Sequence, residues 1–313
     1  MSPVAIEPVS FALAASNPAV FAGRLGAGFA RHGFAVIHDH GLDQEGIDAA
    51  LADARAFFAL PDAVKRQSHV PGGAGQRGYT PFGSETAKGG AIADLKEFWH
   101  VGRNLPPGHP GAVDMPPNVW PDEPARFRER ETWLFTALEG MGVKLMTAIS
   151  NYLDLDPAFL ADAIADGNSV LRLLHYPPIA GDAAEAVRAG AHEDINAITL
   201  LLGAEEAGLE VLDRSGEWLA INPPPGALVV NIGDMLARLT NDVLPSTTHR
   251  VVNPTSDRRA APRYSTPFFL HFRPDFLIRT LPSCVTPQRP DRYPDPITAR
   301  DYLATRLREI GLK

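Results

Sequence analysis

AHEDINAITLLLG, residues 191–203, sets His192 and Asp194 two positions apart, directly ahead of the apolar run Ala197–Leu202. Side chains of an extended chain alternate with period two, so His192 and Asp194 project to one side and can converge on one point. The apolar run behind them reads as a buried strand. Taken alone, the pair also fits a turn, or a helix cap formed by Asp194, which is the commoner use of such residues.

A third ligand candidate changes that balance. His249 stands in STTHRVV (246–252), 55 positions beyond Asp194 (249 − 194), on a β-branched segment that can lie opposite the first strand in a closed β structure. Two imidazoles and one carboxylate make the facial set of non-haem iron(II) centres, which leaves three coordination positions open. The same residue types also hold zinc in hydrolases. Arg263 and Ser265 follow on a shared strand face, and a guanidinium fork beside a hydroxyl suits a carboxylate. A hydrolase has no evident need of such an anchor, whereas an oxygenase with a dicarboxylic keto acid as cosubstrate does.

Around this constellation the second half of the chain is strand-like. SVLRLLHY (169–176), AITLLL (197–202), LEVLD (209–213), EWLAI (217–221), ALVVNIG (227–233), THRVV (248–252) and RYSTPFFLHF (263–272) alternate with turns, Arg214-Ser215-Gly216 among them. Such spacing suggests a sandwich, a barrel or a jelly roll. The first half reads as helix-rich with one short strand: helices over 18–32 and 44–60, a strand over 34–37, and a long helix over 123–153. In that helix Leu134, Leu138, Met141, Leu145 and Ile149 form one apolar stripe, read as packing. A last helix is expected over 298–310. Residues 71–90, rich in Gly and Pro, read as a long loop of the lid type. A helical/mixed region over 1–120 packing on a core over 121–313 is the expected organisation.

Composition narrows the function classes. A chain of 313 residues with 45% hydrophobic and 21% charged residues builds a real core and is neither disordered nor membrane-embedded. A net charge of −8 without a Lys/Arg cluster excludes nucleic acid as the expected partner. Cys284, the single cysteine, allows no internal disulfide, and no basic-flanked apolar leader is seen, so a cytoplasmic location is expected. No oligomeric state follows from these features.

The ordered set His192-x-Asp194, His249, Arg263-x-Ser265 resembles the 2-oxoglutarate and iron(II)-dependent dioxygenases, in the branch that includes isopenicillin N synthase. GFAVIHDHGL (33–42), FFALPDAVK (57–65), RGYTPFG (77–83), DLKEFWHVG (94–102), NVWP (118–121), HYPP (175–178) and RYSTPFF (263–269) have counterparts there, so the likeness spans nearly the whole chain. The resemblance implies a mainly β fold with flanking helices around a double-stranded β-helix (jelly-roll, cupin-like) core. It further implies Fe(II) on His192, Asp194 and His249, O2, and 2-oxoglutarate held by Arg263 and Ser265 with help from Tyr176. Leu174 stands where the family usually has Asn. The implied reaction oxidises a C–H bond of a small molecule, most commonly by hydroxylation, with release of succinate and CO2. A 2-oxoglutarate-independent oxidase and a non-enzymatic jelly-roll sensor are the alternatives.

Parity along residues 263–273 sets Phe269 and His271 on the same wall as the anchor, and Arg172 shares a face with Leu174 and Tyr176. These three are the candidate substrate contacts, with Phe269 packing on a small polar molecule and His271 hydrogen-bonding it. His38-x-His40 has ligand spacing but no carboxylate in matching context, so it reads as a turn. GGAG (72–75) lacks the Lys-Ser/Thr of a phosphate loop. Glu97 reads as an exposed or paired carboxylate.

Overall fold

A computed structural model describes residues 6–73, 75–84, 96–178, 189–203, 208–252 and 262–309. Twelve strands build two facing sheets. They are β1 (Val9–Ser10), β2 (Phe34–His38), β3 (Gly78–Thr80), β4 (Glu97–Gly102), β5 (Val170–Tyr176), β6 (Ala189–His192), β7 (Ile198–Leu202), β8 (Leu209–Leu212), β9 (Trp218–Ala220), β10 (Leu228–Ile232), β11 (His249–Val251) and β12 (Arg263–Leu270). The larger sheet runs β1-β2-β10-β7-β12-β5-β4-β3 and the smaller β6-β11-β8-β9. This is a double-stranded β-helix with helices on its outer face.

β12 lies centrally, antiparallel to β5 on one side and β7 on the other, and Pro267 stays in register opposite Leu201. Three strands beyond the expected one come from the first half: β1 extends the large sheet past β2, and β3 and β4 extend it past β5. Between the sheets an apolar plug of Phe34, Val36, Leu209, Val211, Val229 and Val251 closes one end of the roll. The other end stays open and carries the polar residues described below.

Helices brace the outer face. Pro18–His32 starts on an Asn17 side-chain cap and Pro18, and ends where Gly33 adopts φ 70° and returns its N–H to Phe29. The long helix begins at Phe127 instead of Glu123, with Pro121 and Pro124 lying in the turns before it. Its stripe, Leu134 through Ile149, is fully buried against the large sheet. At Gly26 a Cβ would overlap the Tyr152 ring, so the aromatic side chain of one helix packs directly on the bare backbone of the other. The last helix, Ala299–Glu309, returns to the open end of the roll. Part of the loop at 71–90 lies outside the described residues.

Candidate metal centre and substrate cavity

β6 and β11 pair so that His249 stands directly opposite His192, with ring centroids 4.4 Å apart. Asp194 Oδ1 lies 3.8 Å from His192 Nε2 and 3.9 Å from His249 Nε2. All three ligand atoms fall within 4.8 Å of one another, and no other such group occurs among the described residues. One ion can therefore reach all three.

Neighbouring groups prepare each donor. His192 Nδ1 faces the Gly190 carbonyl at 2.7 Å and His249 Nδ1 faces that of Thr247 at 3.1 Å, which holds the proton on Nδ1 and leaves Nε2 as a bare donor. Asp194 caps no helix. Its Oδ2 accepts hydrogen bonds from Thr199 Oγ1 at 2.5 Å and Asn231 Nδ2 at 2.8 Å, so Oδ1 is left toward the imidazoles. Burial opposes ionisation of Asp194, but His249, His192 and these two donors outweigh it and hold the carboxyl below its ordinary range. His192 is crowded by protein yet keeps 45% of its side-chain surface open to the cleft; desolvation and His249 both lower its pKa. Phe34 meets the His249 ring edge-on at 5.4 Å, fixing its plane. This donor set, neutral imidazoles with an ionised carboxylate, fits a divalent iron.

Deeper along the large sheet Arg263 pairs across β12 and β5 with Tyr176, and Ser265 pairs with Leu174. Arg263 is 1% exposed, with its guanidinium carbon 5.4 Å from the Tyr176 ring centre. A buried cation beside a buried hydroxyl, both on the inner face, is the donor pair a carboxylate needs.

A cavity of about 840 Å³ is lined at one end by His192 and Asp194 of the three metal-ligand candidates. Phe269, His271 and Arg172 all line it. Burial lowers His271 to about 4, and its Nδ1 has no partner among the described residues. Arg172 lies over the Phe98 ring at 4.3 Å and the Phe269 ring at 5.4 Å, and its Nε donates to His100. Arg77 and Asn168 also line the cavity, as do Arg300, Leu303 and Leu307 of the final helix. His40 is a structural residue: its ring bonds the Gly226 carbonyl and the Leu42 amide.

Glu97 points the opposite way, to the outer face of β4. Its carboxylate takes Lys65 at 2.7 Å, Tyr79 at 2.5 Å and His175 at 2.7 Å, while His175 stacks between Phe58 and Tyr264. Thr199, Asn231 and Arg77 are site residues that motif spacing did not single out. The signal was present for the first two, since each is the lone polar residue of an otherwise apolar strand.

A jelly roll carrying two imidazoles and a carboxylate at its open end defines a mononuclear non-haem iron oxygenase. The 2OG-Fe(II) oxygenase superfamily profile matches residues 167–272, and that of the non-haem dioxygenase N-terminal region, described from morphine synthesis, matches residues 6–123. A 2-oxoglutarate-Fe(II) type oxidoreductase of Emericella nidulans, hxnY, is 34% identical over 87% of this chain and 79% of its own length. The crystal structure of a 2OG-Fe(II) oxygenase family protein from Caulobacter crescentus is 61% identical, covers 99% of this chain and 100% of that chain, and superposes with a TM-score of 0.93. A full-length Neurospora crassa protein solved in complex with alpha-KG is 28% identical with a TM-score of 0.86, covering 97% and 96% of the two chains. The chain belongs to the 2OG-Fe(II) oxygenase superfamily. It is a 2-oxoglutarate- and Fe(II)-dependent dioxygenase with O2 as cosubstrate. Among the described residues no helix is long and apolar enough to cross a membrane.

Proposed function

We propose that His192, Asp194 and His249 hold the iron, that Arg263 and Ser265 with Tyr176 anchor 2-oxoglutarate, and that the enzyme hydroxylates a C–H bond of a small polar metabolite in the cavity lined by Phe269, His271 and Arg172. The observation that carries this reading is the convergence of two Nε2 atoms and one Oδ1, each with its other polar atom already engaged. When bound, the iron with 2-oxoglutarate and O2 supplies the oxidising power, and the keto acid leaves as succinate and CO2. The chain's own residues orient and protect. Thr199 and Asn231 fix the Asp194 carboxylate, and the Gly190 and Thr247 carbonyls fix the imidazole tautomers. Arg263 and Ser265 bind the far carboxylate of the keto acid, which sets which end reaches the metal. Phe269 and the apolar wall exclude water from the reacting carbon. Neutral His271 offers a hydrogen-bonding nitrogen to the substrate. The ligands named with the Neurospora crassa relative, thymine and 5-formyluracil, support a small polar ligand of this size class. A cytoplasmic location, with neither nucleic acid nor membrane as partner, belongs to the same reading.

Succinate release from 2-oxoglutarate under air, with Fe(II) and no second substrate, tests the proposal directly. Wild type forms succinate; His192→Ala, Asp194→Ala and His249→Ala fall to background while remaining folded. Arg263→Ala raises the 2-oxoglutarate KM about 10- to 100-fold, the loss of one charge-assisted pair. Full activity in any of the three ligand variants refutes the site.

A further inference from the structure

Arg77 is 4% exposed. Its Nε donates to the Pro116 carbonyl at 3.1 Å and Nη1 to the Gln76 carbonyl at 2.7 Å. Nη2 is buried with no partner among the described residues, and no carboxylate of those residues forms an ion pair with this guanidinium. Burial alone draws its pKa down to about 10, so it still carries its charge at neutral pH. A buried charge without a counter-charge is costly. Two carbonyls satisfy its hydrogens in part and leave the charge itself unanswered.

The guanidinium lies flat on Gly102, where a Cβ would overlap its central carbon. Asn118 braces that glycine by accepting from its N–H at 2.7 Å and donating to its carbonyl at 2.8 Å. Gly102 pairs with Val170, Val170 with Phe269, and Phe269 with Thr199, the residue that bonds Asp194. All four belong to one row on the inner face. Three strand spacings put the guanidinium about 14 Å along the sheet from the metal-ligand end. Between the two ends, Arg172 over the Phe98 and Phe269 rings makes a flat wall, with Asn168 Oδ1 and His271 Nδ1 as further buried atoms lacking partners among the described residues. Asp114, the acid beside this wall, is taken by Arg300 at 2.7 Å.

We propose that Arg77 recognises the carboxylate of the substrate to be oxidised, so that the substrate class is a small aromatic carboxylic acid whose carboxylate is held at the end of the cavity remote from the iron. The inference rests on the metal placement proposed above. Allowing ~3–4 Å for a contact at each end, the carboxylate sits roughly 6–8 Å from the carbon that reacts. The unengaged Nη2 supplies the direct hydrogen bonds, and the flat wall receives the ring.

The test uses the metal-free protein, because carboxylate binding at Arg77 requires no iron. Thermal shift and calorimetric titration are run with a phenylalkanoate series, benzoate through 5-phenylpentanoate, and with the matching primary amides. Expected are a concentration-dependent rise in Tm with at least one acid, no rise with its amide, and a Kd weakened at least 10-fold in both Arg77→Met and Gly102→Ala, the latter because its Cβ displaces the guanidinium. Should Arg77→Met fail to fold, Gly102→Ala and Arg77→Lys carry the test. Absence of any shift with every acid, equal shifts with acid and amide, or an unchanged Kd in the folded variants overturns the proposal. Loss of succinate formation by the iron-loaded wild type would count against the catalytic reading instead, and the two failures are read separately.

Discussion

Thr199→Val removes one hydroxyl while nearly preserving side-chain volume, and it isolates what the two donors on Asp194 Oδ2 do. Thr199 Oγ1 and Asn231 Nδ2 reach that oxygen at 2.5 and 2.8 Å, with Thr199 3% and Asn231 4% exposed, so water does not substitute for either. A hydrogen bond to a charged group is worth about 1.5–3 kcal/mol. Only the part that differs between free and metal-bound carboxylate changes affinity, and supporting contacts of this kind typically account for about 10- to 100-fold. That range equals roughly 1.4–2.8 kcal/mol, which is most of the bond. The sign is diagnostic. Donors drain charge from the carboxylate and by that route weaken it as a ligand, whereas orientation strengthens ligation by aiming Oδ1 at the metal. We expect orientation to win: Thr199→Val and Asn231→Leu each weaken Fe(II) binding about 10- to 100-fold. Because both grip one oxygen, the double variant loses less than the product of the single losses. Anaerobic calorimetric titration with Fe(II), repeated with Co(II), measures this, with Tm checked on each metal-free variant. Unchanged or tighter metal binding in a folded Thr199→Val protein would refute the orienting role.

Other buried groups give further expectations. Glu131 is fully buried with both oxygens unpartnered among the described residues, and desolvation, reinforced by Asp53, raises its pKa well above the ordinary value. The folded state therefore keeps a proton that the unfolded chain releases above about pH 4.5, and stability falls as pH rises beyond that point. Glu131→Gln should raise stability at pH 7 by about 1–3 kcal/mol in urea unfolding, and a lower midpoint would contradict the assignment. His271 has the opposite pH sense, since its folded pKa of about 4 lies below the unfolded value near 6.5. The unfolded chain takes up the proton first, so stability drops as pH falls from about 6.5 towards 4, by about 2.5 kcal/mol at pH 4.5. His271→Gln should flatten that limb, and an acid profile identical to wild type would show that folding leaves the His271 pKa unshifted. Lys65→Met leaves the buried Glu97 without its ammonium partner and should cost about 3–5 kcal/mol, read as a fall in Tm with the urea m-value unchanged.

The parts of the site legible in sequence share one property: they follow from period-two alternation within one short extended stretch. His192 with Asp194, Arg263 with Ser265, and Phe269 with His271 each needed only that spacing and an ordered set of motifs. Arg263 and Ser265 lie within β12, whereas Asp194 and His271 stand just past the ends of β6 and β12. Pairings between strands distant in sequence were not legible in the same way. Glu97 became a buried hub because Lys65, Tyr79 and His175 arrive from three other segments, and nothing local to EFWHV announces them. β4 escaped a spacing-based assignment for the same reason, since its strand character comes from pairing with β5. Arg77 sits within a motif that marked the family, yet its meaning depends on Gly102, 25 residues away (102 − 77).

The strands that bear the cavity wall are two-faced, and the outer face explains how the inner one holds its geometry. On β5, His175 turns outward between Leu174 and Tyr176, which turn inward beside Arg263 and Ser265, the proposed keto-acid anchor. On β12, Tyr264 turns outward between Arg263 and Ser265. His175 and Tyr264 are cross-strand partners and stack at 4.8 Å with an interplanar angle of 15°. Glu97 then ties His175 to Lys65 and Tyr79 behind the sheet. A one-residue slip between β5 and β12 would turn Arg263 from the inner to the outer face of the sheet and break the His175–Tyr264 stack. The register that aims the anchor is thus held by a charged cluster on the far side of the same strands, away from water and from substrate. Loosening that cluster should disturb 2-oxoglutarate binding before it disturbs the iron, whose proposed ligands come from β6, β11 and the turn after β6.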